Sequence, residues 1–91
     1  MKAYTEANVL SAVGYIYAHD KRTRILRRPV RRRMVEAMLQ RKDRDPSASA
    51  EDLRAVCRET VGNPFLLILI QVLIPLIVRL FLDWWNDREA A

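Results

Sequence analysis

From Thr5 to His19 the apolar residues Val9, Leu10, Val13, Ile16 and Tyr17 recur at spacings of three and four, the signature of one buried helical face. A second set, Val30, Met34, Met38 and Leu39, predicts a helix over 30–42, with Pro29 at its start, where a missing N–H is harmless. A third set, Leu53, Val56, Cys57 and Val61, predicts a helix over 49–61. Ser49 and Asp52 form a capping-box-like start to that helix, with an acid in place of the usual Glu or Gln, and Gly62 stops it. Asn63 and Pro64 then serve at once as N-cap and first residue of a fourth helix. The stretch DRDPSA between the second and third helices is turn-like. Gly14 lowers the helical preference of the first segment by roughly 1 kcal/mol, or marks close packing against a neighbouring helix.

The fourth segment differs from the other three. Phe65, Leu66, Leu67, Ile68, Leu69 and Ile70 precede Gln71; Val72, Leu73 and Ile74 precede Pro75; Leu76, Ile77 and Val78 precede Arg79; Leu80, Phe81 and Leu82 close the run. At about 1.5 Å per residue, eighteen residues reach about 27 Å, close to the roughly 30 Å hydrocarbon core of a bilayer. Trp84 and Trp85 follow where an aromatic belt meets lipid headgroups, and Arg79 is near enough to the end to extend outward. The pattern therefore predicts an all-α chain: three short amphipathic helices, then one C-terminal apolar transmembrane helix over 64–86 with a kink at Pro75, and a short polar tail over 87–91. A helix lying in the membrane interface, and a helix buried in a protein assembly, are the alternatives. The three narrow apolar faces upstream favour lipid as its cover, because a helix apolar all round needs cover on every side.

Gln71, Pro75 and Arg79, spaced by four, form one slanted row on this helix. Groups of this kind in lipid usually face another helix or a wet cavity, so the row is a candidate helix–helix docking seam. The competing explanation is one tolerated Gln and one outward-reaching Arg.

Charge sharpens the division of the chain. Residues 1–63 carry fourteen Lys and Arg against eight acids, a net of +6, whereas residues 64–91 carry two against three, a net of −1. Eight basic residues fall within the thirteen of KRTRILRRPVRRR. Arg24, Arg27, Arg28, Arg31, Arg32 and Arg33 are thus candidates for binding anionic lipid or phosphate, the last three crowding the first turn of the second helix, where cations are unfavourable without a compensating anion. Nucleic acid is the other anionic partner, but no aromatic residues interleave with the arginines and no DNA- or RNA-binding signature is present. A solvated basic face is the plain alternative.

The positive-inside rule orients the basic 1–63 head to the cytoplasm, in a tail-anchored layout. The N-terminus lacks the basic, apolar and small-residue regions of a secretory signal. One Cys57 permits no internal disulfide, and one His19 and no phosphate-cradling loop leave few parts for catalysis. No metal, cofactor or small-molecule substrate is expected. The function these features suggest is a non-enzymatic, membrane-anchored helical subunit or adaptor of a larger assembly, contacting lipid and other subunits. A viral or phage structural protein located in the virion is one alternative, and a holin-like pore-former that lines a lumen with Gln71, Pro75 and Arg79 is another.

Overall fold

The computed structural model describes residues 3–90, with side chains described to Arg88; Met1, Lys2 and Ala91 lie outside the described residues. Among the described residues the chain is all-helical, with no strands. The helices are α1 (Glu6–His19), a 3-10 turn (Lys21–Ile25), α2 (Arg28–Arg44), α3 (Ala50–Val61), α4 (Pro64–Ile70) and α5 (Leu73–Ala90).

Local chemistry sets most of these boundaries. The Thr5 side chain accepts from the Asn8 N–H at the start of α1. At the start of α3, Ser49 Oγ accepts from the Asp52 N–H and Asp52 accepts from the Ser49 N–H, a complete capping box. Gly62 ends α3 at φ 68, the left-handed conformation a side chain would disfavour. Asn63 Oδ1 then accepts from the N–H groups of Phe65 and Leu66, starting α4 two residues later. Lys42, buried near the end of α2, donates to the carbonyls of Pro46 and Ala48 and so ties down the α2–α3 turn.

The single helix expected over 64–86, with a kink at Pro75, is instead two helices. The helix breaks at Gln71 and Val72, and α4 meets α5 at 67°. Pro75 is the cause, acting one turn upstream of itself: it has no N–H for the Gln71 carbonyl, and its ring crowds that oxygen. No single helix among the described residues is long and apolar enough to cross a membrane; the bent α4–α5 pair meets that test only taken together.

Four helices, α1, α2, α3 and α5, pack around one core, each against its neighbours in an antiparallel ring. Val9, Ala12 and Ile16 enter it from α1, Met34, Val35, Met38 and Leu39 from α2, and Leu53 and Cys57 from α3. From α5 come Ile74, Ile77, Val78, Phe81 and Trp84. Trp84, expected at a headgroup layer, is instead inside the protein: only 4% exposed, it donates through Nε1 to Ser11 Oγ at 3.0 Å. Trp85 is half-buried, with Lys42 Nζ 5.4 Å from its ring centre. Helix α5 is therefore amphipathic, its outward side formed by Pro75, Arg79, Asp83, Asn86 and Asp87.

Burial pushes the Cys57 thiol up to about 12. Since the thiolate is the reactive form, Cys57 is expected to resist iodoacetamide at neutral pH and to react once the chain unfolds in denaturant, as followed by mass spectrometry. Ready labelling of the folded protein would contradict its place in the core.

Four carboxylates are held below their ordinary range: Glu6 by hydrogen bonds from Arg32, Asp20 from Arg22, Asp45 from Ser47, and Asp52 from the Ser49 backbone and hydroxyl. A carboxylate whose folded pKa is depressed stabilises the fold above its unfolded pKa, and that contribution is lost as pH falls through the folded value. Thermal melting is thus expected to be insensitive to these groups from neutrality to about pH 5, and the melting temperature to fall below about pH 4.

Candidate functional site

The antiparallel ring brings certain termini to one end. Because α5 runs opposite to α1, its first turns lie beside the last turns of α1; Ile77 shares a small cavity with Val13 and Ile16. The 3-10 turn, the start of α2, the end of α3 and all of α4 therefore gather at that same end. Two kinds of surface meet there.

The first is apolar. On α4, Leu66 and Leu67 are half-buried and Ile70 is 1% exposed, plugging the bundle. Phe65, Ile68, Leu69 and Val72 point the other way and are 68–81% exposed. Phe65, Ile68 and Leu69, spaced by three and one, share one outward face of α4, and Val72 follows in the break before α5. Ile25 of the 3-10 turn, 76% exposed, adds a fifth apolar side chain at this end. Scattered exposed apolar residues are ordinary, but a contiguous ridge signals an interaction surface. A seven-residue helix is too short to persist alone, so its outward face is held by the Asn63 cap and the Ile70 plug.

The second is cationic, and the structure separates its arginines. Arg32 is engaged by two acids, Glu6 and Glu36. Arg33 is exposed and donates to the Pro29 carbonyl at 3.3 Å, and Arg27 is exposed at the N-cap of α2. Arg22, outside the expected set, pairs with Asp20 at 2.7 Å. Arg24 and Arg28 are exposed and make no salt bridge with a described residue. Arg31 is 3% exposed; its Cζ lies 3.1 Å from the Tyr17 ring centre, and Arg24 approaches the same ring at 5.5 Å. Burial, with the charges of Arg28 and Arg24 adding, pushes the Arg31 guanidinium below its ordinary pKa. The helix that carries Arg28 and Arg31 has no acid in its first turn and no side-chain cap.

Gln71, Pro75 and Arg79 are all exposed. Pro75 and Arg79 border a shallow groove of about 420 Å³ between α3 and α5, with Arg54 and Asp83 nearby. Gly14 is not a point of close helix packing: a Cβ there would meet no atom within 4 Å. It instead lines a second, larger groove between α1 and α2, about 730 Å³, with Leu10, Val13, Tyr17, Pro29 and two arginines. The sequence alone did not mark that groove, although Leu10, Gly14 and Tyr17 share one helical face.

Cys57 is a free cysteine buried in the core, and His19 packs on its own helix. His19 Nδ1 donates to the Tyr15 carbonyl at 2.8 Å and its ring stacks on Tyr15 at 3.8 Å. Among the described residues no three His, Cys, Asp or Glu side chains are grouped to hold a metal ion. Comparison of the chain with protein-family models, with curated proteins and with solved structures finds no match.

Proposed function

We propose that this protein is a small non-enzymatic helical module that attaches end-on to an anionic membrane surface and serves there as a subunit or adaptor of a larger assembly. The observation that carries the reading is the outward ridge of Phe65, Ile68 and Leu69, continued by Val72, at the same end of the bundle as Arg24, Arg27 and Arg28. An apolar face beside a cluster of cations matches the two layers of a lipid interface: acyl boundary for the ridge, phosphates for the arginines.

In this arrangement α4 lies in the headgroup region and α5 stays in the protein. A spanning α5 would have to give up the Trp84–Ser11 hydrogen bond and expose the α1, α2 and α3 faces that Phe81, Ile77 and Ile74 now cover. Nucleic acid would engage the arginines but leave the apolar ridge without a role.

Co-sedimentation with vesicles tests the proposal. Binding is expected to vesicles containing anionic phospholipid and to be weak on zwitterionic ones. High salt is expected to reduce it partly, because salt screens the arginines but not the ridge. Alkaline carbonate is expected to release the protein. Retention in carbonate would replace surface docking by a true span, and absence from vesicles of either kind would overturn membrane attachment.

A further inference from the structure

Arg31 stands apart from the other arginines. It is 3% exposed, and its Nε and Nη1 are enclosed with no hydrogen-bond partner among the described residues. No described carboxylate forms a salt bridge with it. The Tyr17 ring covers one face of the guanidinium at 3.1 Å, and the charges of Arg28 and Arg24 add to the burial that lowers its pKa. A cation–π contact offsets only part of what a cation loses on leaving water, and it leaves the N–H groups in the guanidinium plane unsatisfied. Buried donors without a partner are rare and call for an ion or an ordered water.

Arg31 borders a small interior cavity, separate from the α1–α2 groove. The other walls are Val13 and Ile16 of α1, Val35 of α2 and Ile77 of α5. At about 10 Å³ it takes a single occupant of roughly water's size and has no room for a phosphate group. The chemistry of the wall selects that occupant. Arg31 offers donors only, because a guanidinium has no acceptor, and the aliphatic side chains offer neither. A water would accept from Arg31 but find no side chain to receive its own hydrogens, whereas a buried water ordinarily makes about three hydrogen bonds. A monatomic anion has only to accept, and it brings the charge that the buried guanidinium lacks.

We infer that this cavity is a chloride site, in which Arg31 donates through Nε and Nη1 to one chloride ion enclosed by Val13, Ile16, Val35 and Ile77. Chloride is slightly larger than water, and the flexible isoleucine side chains give way to admit it. The ion neutralises Arg31 where α1, α2 and α5 meet, so that neither charge is buried alone. The site draws on all three helices and does not involve α4 or lipid. Its failure and the failure of membrane attachment are therefore separate results.

Thermal melting of the full chain, without vesicles and at one ionic strength, in sodium chloride, sodium bromide and sodium gluconate tests the site. Gluconate carries the same charge but is too large for the cavity. A halide at about ten times its dissociation constant is expected to raise the melting temperature by at least about 4 °C over gluconate. Arg31→Met is expected to lose the difference between chloride and gluconate, while melting in gluconate no lower than the parent, because it removes an unpaired buried charge. A chloride effect that persists undiminished in that variant is a general salt effect and would overturn the proposal. Crystals of the parent grown in bromide give a readout that needs no variant: an anomalous peak is expected within hydrogen-bonding reach of Arg31 Nε and Nη1. If Arg31→Met does not fold, that peak decides. A water in its place, an empty cavity, or equal melting of the parent in all three salts would overturn the proposal.

Discussion

Replacing Phe65, Ile68 and Leu69 together by Ser is expected to lower affinity for anionic vesicles by more than a hundredfold while leaving the melting temperature within a few degrees of the parent. Fully burying a side chain of this size in an apolar medium contributes roughly 1.5–3 kcal/mol, so three of them, even partly inserted, account for such a loss. The fold is expected to tolerate the change because these positions are 68–80% exposed and cover nothing. The matched control is Ile70→Ser, on the opposite side of the same short helix. With 1% exposure, it is expected to destabilise the bundle rather than act on lipid binding alone. Vesicle co-sedimentation and thermal melting of the two variants separate the roles of the two faces of α4. Unchanged vesicle binding by the triple variant would remove the ridge from the account.

The second large effect concerns α5. Phe81→Ala is expected to cost about 3–5 kcal/mol in chemical denaturation, as for other fully buried aromatics. Phe81 is 0% exposed and its ring neighbours those of Trp84, at 5.8 Å, and Trp85, at 6.4 Å. Against a total stability of about 5–15 kcal/mol for a typical domain, that loss removes a large share of the margin and partly unfolds a domain at the lower end of the range. The result separates two arrangements. If α5 were lodged in lipid and the first three helices formed a separate head, truncating Phe81 would leave the melting of that head nearly unchanged.

Helix starts and stops were the most legible part of the sequence, because they depend on neighbours along the chain. The Ser49–Asp52 box, the Gly62 stop and the Asn63–Pro64 start are contacts across two or three residues, and the pattern carries them directly. The nature of the C-terminal segment was less legible. Its eighteen residues resemble a membrane helix when taken as a block, yet the row through Gln71, Pro75 and Arg79 continues at the same spacing through Asp83 and Asp87. Followed that far, it is the polar stripe of an amphipathic helix, and that signal was present from the beginning. The 67° break was not legible in the same way: proline predicts a disturbance, but its size depends on the plug of Ile70 into a bundle built by other helices.

The arginine cluster divides along the same line. Composition marks Arg24, Arg27, Arg28, Arg31, Arg32 and Arg33 alike as cations near an anion. Only folding shows that Glu6, twenty-six residues away, reaches Arg32, whereas Arg31 turns inward onto Tyr17. No periodicity separates those two neighbours, since the distinction depends on how α1 crosses α2.

Quenching of tryptophan fluorescence by brominated phospholipid tests most directly whether α4 meets the membrane while α5 remains in the protein. Trp84 and Trp85 report on α5, and a Phe65→Trp variant adds a reporter on the ridge. On anionic vesicles, emission of the parent protein is expected to stay unquenched, while the added tryptophan shifts to the blue and is quenched by bromines placed near the headgroups. Quenching of the parent tryptophans by bromines deep in the acyl chains would put α5 in the bilayer and contradict the account.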